Sequence, residues 1–209
     1  QHFQTIRATT HGESIYKIKK FGYAVVFKSA VLRASKILVP SDFVKNQLIN
    51  ESGVRQEKII VTSEGVDHVM ENIAKHMSKD KALKIIENLG VKTPYLFYIG
   101  NAHPHKNIEK LVSVFQDLSK KYKQLNLVLS GQDHYFWDRI KNEVLSRSDN
   151  GNIIFTGFVT DEQAVALYKN AVAYVFPSLE EGFGIPILEA MACSCPVISS
   201  NAGSLPEVG

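Results

Sequence analysis

The sequence predicts an α/β protein built on a doubly wound parallel sheet. From residue 94 onward, short apolar runs typical of buried strands alternate strictly with longer stretches of helical periodicity. Glycines or a proline follow several of the apolar runs, as at Gly100, Gly131 and Pro177, and they indicate loops. Strict alternation is typical of a parallel sheet with helices on both faces, in which ligands gather at the carboxyl ends of the strands.

A smaller β-α-β unit precedes this region. Apolar residues at roughly helical spacing predict a helix over residues 15–36. Short apolar runs predict strands at Lys36–Pro40 and Lys58–Thr62. Between them, Ser41 is suited to cap a helix that ends at Gly53. This order predicts a parallel pair of strands joined by a right-handed crossover.

The chain is therefore expected to have three parts. Residues 1–67 form part of a Rossmann-like domain, and residues 94–209 form a second Rossmann-like domain. Residues 68–93 are polar and lysine-rich, with helical stretches at Met70–His76 and Lys81–Leu89, and are expected to connect the two.

The second domain opens with the apolar run Tyr95–Ile99, which is too short for a helix and rich in strand-forming residues. The elements that follow are helix Ile108–Tyr122, strand Leu125–Leu129, helix Tyr135–Leu145, strand Ile153–Thr156, helix Asp161–Lys169, strand Ala173–Phe176, helix Ile185–Ala192 and strand Val197–Ser199. Ser204 and Glu207 are spaced as in a capping box around Pro206 and predict the start of a further helix. Because the sequence opens on Gln1 and stops where this helix starts, we expect a segment of a longer protein.

Composition is that of an ordinary globular protein. The 209 residues are 44% hydrophobic and 22% charged, enough for one large or two small domains. A net charge of +3 gives no case for nucleic acid, although scattered Lys and Arg could favour peripheral contact with an anionic membrane. No apolar run approaches the roughly 20 residues of a spanning helix, and no signal peptide is visible. Cys193 and Cys195 match neither a zinc site nor a disulfide framework, which favours a reducing cytoplasm.

The segment after strand Ala173–Phe176 carries the strongest functional signal. Pro177 ends the strand, and Ser178–Gly184 form a loop with two glycines, called the glycine loop below. The helix that follows begins at Ile185 with Pro186 in its first turn, where proline is tolerated. The unpaired first-turn amides and the positive end of the helix dipole suit a diphosphate.

Two carboxylates flank this anion-binding end. Glu181 lies on the loop and Glu189 in the first turns of the helix, so they face different parts of one ligand, and a nucleotide sugar has that shape. Separated by seven residues within Glu-Gly-Phe-Gly-Ile-Pro-Ile-Leu-Glu-Ala-Met, the pair resembles the signature of family 4 (group 1) retaining glycosyltransferases of GT-B fold. Residues 1–67 then resemble the end of the acceptor-side domain, and residues 94–209 the donor domain.

The resemblance implies a reaction and a setting. A sugar of mannose or glucose type would pass from a nucleoside diphosphate sugar, GDP-mannose or UDP-glucose, to a glycan or lipid-linked acceptor with retention of configuration. This chemistry serves polysaccharide or lipopolysaccharide synthesis in the cytoplasm or at the inner face of the cytoplasmic membrane. It needs no cofactor and no metal. His103 and His105, without carboxylates or a third ligand nearby, are weak evidence for a metal site.

The resemblance also assigns residue roles. Lys106 would neutralise the departing diphosphate and Glu181 would hold the donor sugar, and these two are the expected catalytic residues. The implied donor-binding residues are Gly100, Asn101, Gly131, Phe158, Val159, Gly182, Phe183, Gly184, Ile185 and Glu189, the last of them for ribose. Asn101 stands where the family usually has a basic residue. Asn107 could cap the helix after the loop Gly100–Asn107, which is called the lysine loop below.

Other readings stay open at this point. A sugar phosphorylase or a sucrose-type synthase shares the fold, and the reaction products would separate them. The chain could also be a nucleotide-sugar binding module without activity in isolation. A dehydrogenase or a P-loop enzyme is disfavoured, because neither phosphate-binding glycine motif occurs in the sequence.

Overall fold

A computed structural model describes residues 13–132, 134–146 and 152–209. In these ranges the strands are β1 (Ile37–Val39), β2 (Ile59–Val61), β3 (Tyr95–Ile99), β4 (Asn126–Ser130), β5 (Ile153–Gly157), β6 (Ala173–Phe176) and β7 (Val197–Ser199). The helices are α1 (Glu13–Arg33), α2 (Asp42–Ser52), α3 (His68–His76), α4 (Lys79–Asn88), α5 (Ile108–Lys121), α6 (Tyr135–Leu145), α7 (Asp161–Asn170), α8 (Ile185–Ala192) and α9 (Leu205–Val208). Short 3-10 turns lie at Gln56–Lys58 and Pro104–Lys106.

The larger sheet confirms the predicted doubly wound α/β fold. Within the described residues it has five strands, all parallel, in the order β5-β4-β3-β6-β7. Strand β3 pairs with β4 on one side and with β6 on the other, with Phe97 opposite Tyr174. The strand order therefore reverses between β3 and β6, and a crevice opens outside their carboxyl ends. The loops that follow these two strands are the lysine loop and the glycine loop.

The interior of this sheet is aromatic. Tyr95, Tyr98 and Tyr174 lie fully buried along β3 and β6, and Trp137 and Tyr168 close over them from α6 and α7. Burying side chains of this size is the largest stabilising contribution available to a core. It also places several phenol hydroxyls beneath the crevice, where each needs a hydrogen-bond partner.

Helices α3 and α4 occupy the region predicted to connect the domains. Their buried residues, among them Met70, Ala82 and Ile86, belong to the same core as the larger sheet. Lys81 on α4 pairs with Glu162 on α7 at 2.5 Å. Where the domain boundaries fall between 68 and 93 stays a prediction.

The smaller sheet holds β1 and β2 in parallel, with Ile37 opposite Ile59. Helix α2 crosses between them, as the β-α-β pattern predicts. Ser41 caps it by accepting a hydrogen bond from the Val44 amide at 3.2 Å, and Gly53 ends it at a φ of 62°. Both capping residues were predicted from the sequence.

Candidate functional site

Two loops at the carboxyl ends of β3 and β6 are joined directly. The side-chain amide of Asn107 donates to the Pro177 carbonyl at 3.2 Å, and the Leu179 amide donates to the His105 carbonyl at 2.7 Å. Asn107 was expected to cap the helix after it. Asn107 does stand at the N-cap position of that helix, but its side chain makes no cap hydrogen bond and reaches the other loop instead. The lysine loop and the glycine loop therefore form one unit.

Lys106 and Glu181 meet at the centre of this unit. The Lys106 ammonium lies 2.6 Å from Glu181 Oε1, and their side chains are only 14% and 10% exposed. The same ammonium lies 5.2 Å from the centre of the Phe176 ring, which adds a cation-π contact. The sequence singled out both residues but not their contact. A buried pair at this edge can shift its hydrogen bonds toward a ligand without either charge losing a partner.

The backbone of the glycine loop is held from below by the turn before α9. The Ser204 hydroxyl donates to the carbonyls of Glu181 at 3.1 Å and Phe183 at 2.8 Å. Gly203 sits so close that a Cβ there would lie 2.7 Å from the Glu181 amide nitrogen. The capping box expected at Ser204 and Glu207 is therefore wrong, because Ser204 serves the glycine loop and makes no side-chain cap.

The first turn of α8 opens onto the same loop. Its N-cap is Gly184, at a φ of 114° and without a side-chain cap, and Pro186 lies in the first turn as predicted. A Cβ at Gly184 would come within 2.8 Å of Leu205 Cδ2, so a larger residue would displace the helix start. Ile185 begins the helix. Pro186 has no N–H, and the Ile187 amide donates to the Gly184 carbonyl at 2.9 Å. The amides of Gly184 and Ile185 are therefore the ones that can receive an anion here, supported by the positive end of the helix dipole.

Glu189 lies one turn further along α8 and faces α7. The Tyr168 hydroxyl donates to Glu189 Oε2 at 3.1 Å. Partial burial raises the pKa of Glu189 above its usual value, the Tyr168 hydrogen bond opposes that rise, and the charge of Asp161 adds to it. The Glu189 carboxylate is therefore half-buried, and the Tyr168 hydroxyl holds one of its two oxygens.

A cavity of about 330 Å³ lies beside the lysine loop. Its lining residues are Ile99, Gly100, Asn101, Gly131, Gln132, His134, Phe158 and Val159. Five predicted donor-binding residues thus come together in one place, although they come from three separate loops. Gly131 has no room for a side chain, since a Cβ would lie 2.1 Å from the Gly100 carbonyl oxygen. Phe158 is 73% exposed and Val159 is buried, so the segment presents an aromatic rim to the cavity.

Asn101 and three histidines form a group that extends from this cavity into the lysine loop. The Asn101 carbonyl accepts a hydrogen bond from Tyr98, and its side chain accepts one from the His103 amide. The His103 ring stacks on His105 at 6.0 Å and on His134 at 5.4 Å between centroids. Nothing in the sequence predicted that His134 would join this stack. Within the described ranges, no three His, Cys, Asp or Glu side chains are grouped as a metal ion would need.

The start of helix α2, in the smaller β-α-β unit, also touches the site. The Ser41 hydroxyl donates to the Gly182 carbonyl at 2.7 Å. The Glu207 carboxylate accepts from the amides of Asp42 at 2.9 Å and Phe43 at 2.7 Å, at the start of α2. No sequence pattern predicts these contacts, which join residues more than a hundred positions apart.

Comparison with known sequences gives a consistent set of relatives. The family model described as glycosyl transferases group 1 matches residues 58–208. The chain is 33% identical over 183 residues to O-antigen chain mannosyltransferase B of Escherichia coli, covering 84% of this chain and 45% of that protein. It is 29% identical over 191 residues to O-antigen chain mannosyltransferase RfbU of Salmonella typhimurium, covering 91% of this chain and 49% of that protein. The chain thus spans about half the length of these relatives.

Solved structures share the fold. The complex of Anabaena Alr3699/HepE with UDP-glucose aligns with a TM-score of 0.74 at 22% identity, covering 90% of this chain and 50% of that chain. WaaG, a glycosyltransferase involved in lipopolysaccharide biosynthesis, aligns with a TM-score of 0.75 at 16% identity, covering 95% and 54%. These neighbours identify the fold as GT-B. Among the helices described here, none has the length and apolar character needed to cross a membrane.

Proposed function

Since the chain belongs to the group 1 glycosyltransferases, we propose that it binds a nucleoside diphosphate sugar and transfers the sugar with retention of anomeric configuration. The observation that carries the proposal is the Lys106–Glu181 pair, 2.6 Å apart beside the open first turn of α8. A positive charge, a carboxylate and the backbone amides of a helix start thus lie on two joined loops at the same edge of the sheet. A leaving diphosphate attached to a polyhydroxylated ring needs this combination.

The proposed donor runs along the crevice from α8 to the cavity beside the lysine loop. Lys106 and the amides of Gly184 and Ile185 stabilise the negative charge that develops on the leaving diphosphate. Glu181 accepts hydrogen bonds from hydroxyls of the donor sugar. Glu189 accepts from the ribose hydroxyls. Phe158, Val159 and the other cavity residues border the nucleobase, and the backbone of this segment reads its edge.

The proposed chemical step uses no protein nucleophile. The bond between the anomeric carbon and the diphosphate oxygen breaks, and its electron pair leaves with the diphosphate. The acceptor hydroxyl attacks from the same face, and its proton passes to a phosphate oxygen of the leaving group. Glu181 positions the sugar and stabilises its positive charge without bonding to it. We propose that the step proceeds without a metal ion, because Lys106 and the helix amides supply the positive charge.

A mannose-type donor has the best support. Two relatives, 33% and 29% identical, are named O-antigen chain mannosyltransferases, and one capsular polysaccharide relative from Staphylococcus aureus is 26% identical. We therefore propose GDP-mannose as the first donor to test and UDP-glucose as the second. The proposed acceptor is a growing glycan or a lipid-linked glycan. The proposed location is the cytoplasm, with peripheral contact to the inner face of the membrane.

Mass spectrometry of reaction products tests the proposal. The full-length protein is incubated with GDP-mannose, UDP-glucose and other nucleotide sugars in the presence of lipid-linked glycan acceptors. The expected product is an acceptor heavier by one hexose together with free nucleoside diphosphate. Formation of a sugar phosphate when inorganic phosphate is added would indicate a phosphorylase. Binding of nucleotide sugar without any turnover would indicate a binding module. Either result would overturn the proposal.

A further inference from the structure

Tyr168 is a buried tyrosine that the roles assigned above do not use. It lies on α7 with no exposed surface. Its ring makes edge contacts to Phe97, with centroids 5.0 Å apart, and to Tyr174, with centroids 5.2 Å apart. Aromatic contacts from two strands leave the ring a single orientation, because a packed core does not admit a second one. The hydroxyl at its tip is therefore fixed in space.

That hydroxyl is directed at Glu189. It lies 3.1 Å from Glu189 Oε2 and, at a longer 3.4 Å, from the Pro186 carbonyl. Burial raises the pKa of Tyr168 well above its usual value, so the phenol stays neutral and donates. In the described part of the chain Oε1 of the same carboxylate accepts no hydrogen bond. One oxygen of Glu189 is thus anchored, and the other is left for a ligand.

We propose that Tyr168 is a positioning residue for nucleotide recognition, which holds Glu189 by Oε2 so that Oε1 is presented to the ribose hydroxyls of the donor. This inference rests on the proposed function, in which Glu189 contacts ribose. A glutamate side chain has several rotatable bonds. If these bonds become fixed only when the ligand binds, the loss of conformational entropy lowers the affinity. The hydrogen bond from Tyr168 fixes the Glu189 side chain before the ligand binds.

A matched control is available on strand β3, which packs against the same helix. Tyr95 is also fully buried, and its hydroxyl donates to the carbonyl of Leu167, the residue next to Tyr168, at 2.7 Å. Tyr95→Phe therefore removes a buried phenol hydroxyl that is bonded to α7, as Tyr168→Phe does. Only Tyr168→Phe releases Glu189. A merely structural role of Tyr168 predicts that the two variants behave alike.

The experiment compares nucleotides with and without ribose hydroxyls. Calorimetry measures the affinity of the wild-type chain, Tyr168→Phe and Tyr95→Phe for UDP and GDP and for their 2′,3′-dideoxy forms. The wild type is expected to prefer the ribose form. Tyr168→Phe should lose about tenfold of that preference, the equivalent of one hydrogen bond, while its affinity for the dideoxy form stays the same. Tyr95→Phe should keep the full preference.

The other possible outcomes separate a failure of the positioning role from a failure of the proposed function. A full ribose preference in Tyr168→Phe would overturn the positioning role while leaving the proposed function intact. Equal loss of preference in both phenylalanine variants would also overturn it, since the effect would then come from α7 as a whole. A wild type that binds both forms equally would remove Glu189 from the ribose and the inference with it. No binding of either nucleotide by the wild type would overturn the proposed function itself.

Discussion

Replacing Lys106 by methionine tests whether the pair with Glu181 is energetically important apart from any ligand. The two charged groups are 2.6 Å apart and 14% and 10% exposed. Methionine keeps the contact with the Phe176 ring but leaves the Glu181 carboxylate buried without its partner. Removing one member of a buried pair typically costs about 3–5 kcal/mol. The small exposure of both groups admits some solvent, so we expect a smaller loss of about 2–3 kcal/mol, at or just below the bottom of that range.

Urea unfolding of wild-type and variant chains measures this change. A loss of that size lowers the midpoint of thermal unfolding by about 4–12 °C for a chain of this length. Lys81→Met is the matched control, because Lys81 pairs with Glu162 at 2.5 Å but the two side chains are 59% and 47% exposed. An exposed pair of this kind contributes less than about 1 kcal/mol.

The double variant Lys106→Met, Glu181→Gln separates the pair from its members. Because the second change removes the charge that the first left unpaired, the double variant should be more stable than Lys106→Met alone. If Lys106→Met lowers the free energy of unfolding no more than Lys81→Met does, the buried pair stabilises the fold no more than the exposed pair, and the prediction is wrong. If the double variant is as unstable as the sum of the two single variants, the pair is not coupled.

Further predictions follow from other residues of the site. Glu181→Gln in the full-length protein should lower turnover while leaving the affinity for a bare nucleoside diphosphate nearly unchanged, and steady-state kinetics beside calorimetry would show any other pattern. Burial raises the pKa of the Glu189 carboxyl, so the folded state binds its proton more tightly than the unfolded state does. The folded state therefore loses stability as the pH rises from the unfolded-state pKa of this group through its folded-state pKa. Glu189→Gln should therefore gain stability relative to wild type at about pH 7 compared with about pH 4, and urea midpoints that move in parallel would contradict it. Gly131→Ala should destabilise by at least about 1–3 kcal/mol, since its Cβ would overlap the Gly100 carbonyl, and thermal unfolding near the wild-type midpoint would disprove the close approach.

Much of the fold was predictable because it depends on local patterns. Apolar runs such as Tyr95–Ile99 and Ala173–Phe176 are bounded by glycine or proline, and both became strands within one residue of the prediction. Strict alternation then determined a parallel sheet, and the carboxyl ends of its strands located the site. The resemblance contributed the residue roles, which periodicity cannot supply.

The contacts inside the site were not predictable for a physical reason. Lys106 and Glu181 are 75 positions apart, and only the reversal of strand order between β3 and β6 brings their loops together. Ser204 has a good spacing for a capping box, yet its hydroxyl donates to two carbonyls of the glycine loop. A local motif predicts which hydrogen bonds a side chain can make. Tertiary packing decides which one it does make.

The glycine loop is held by groups from the whole length of the chain. Ser41 donates to its Gly182 carbonyl, and Ser204 donates to the carbonyls of Glu181 and Phe183. Glu207, close to Ser204, accepts from two amides at the start of α2, where a carboxylate is favoured by the helix dipole. The start of helix α2, which belongs to the unit of the smaller sheet, therefore contacts the glycine loop directly through Ser41 and indirectly through the turn that supports this loop. Because Glu181 lies within this loop, its position depends on both sheets, and a displacement of one relative to the other would move the carboxylate.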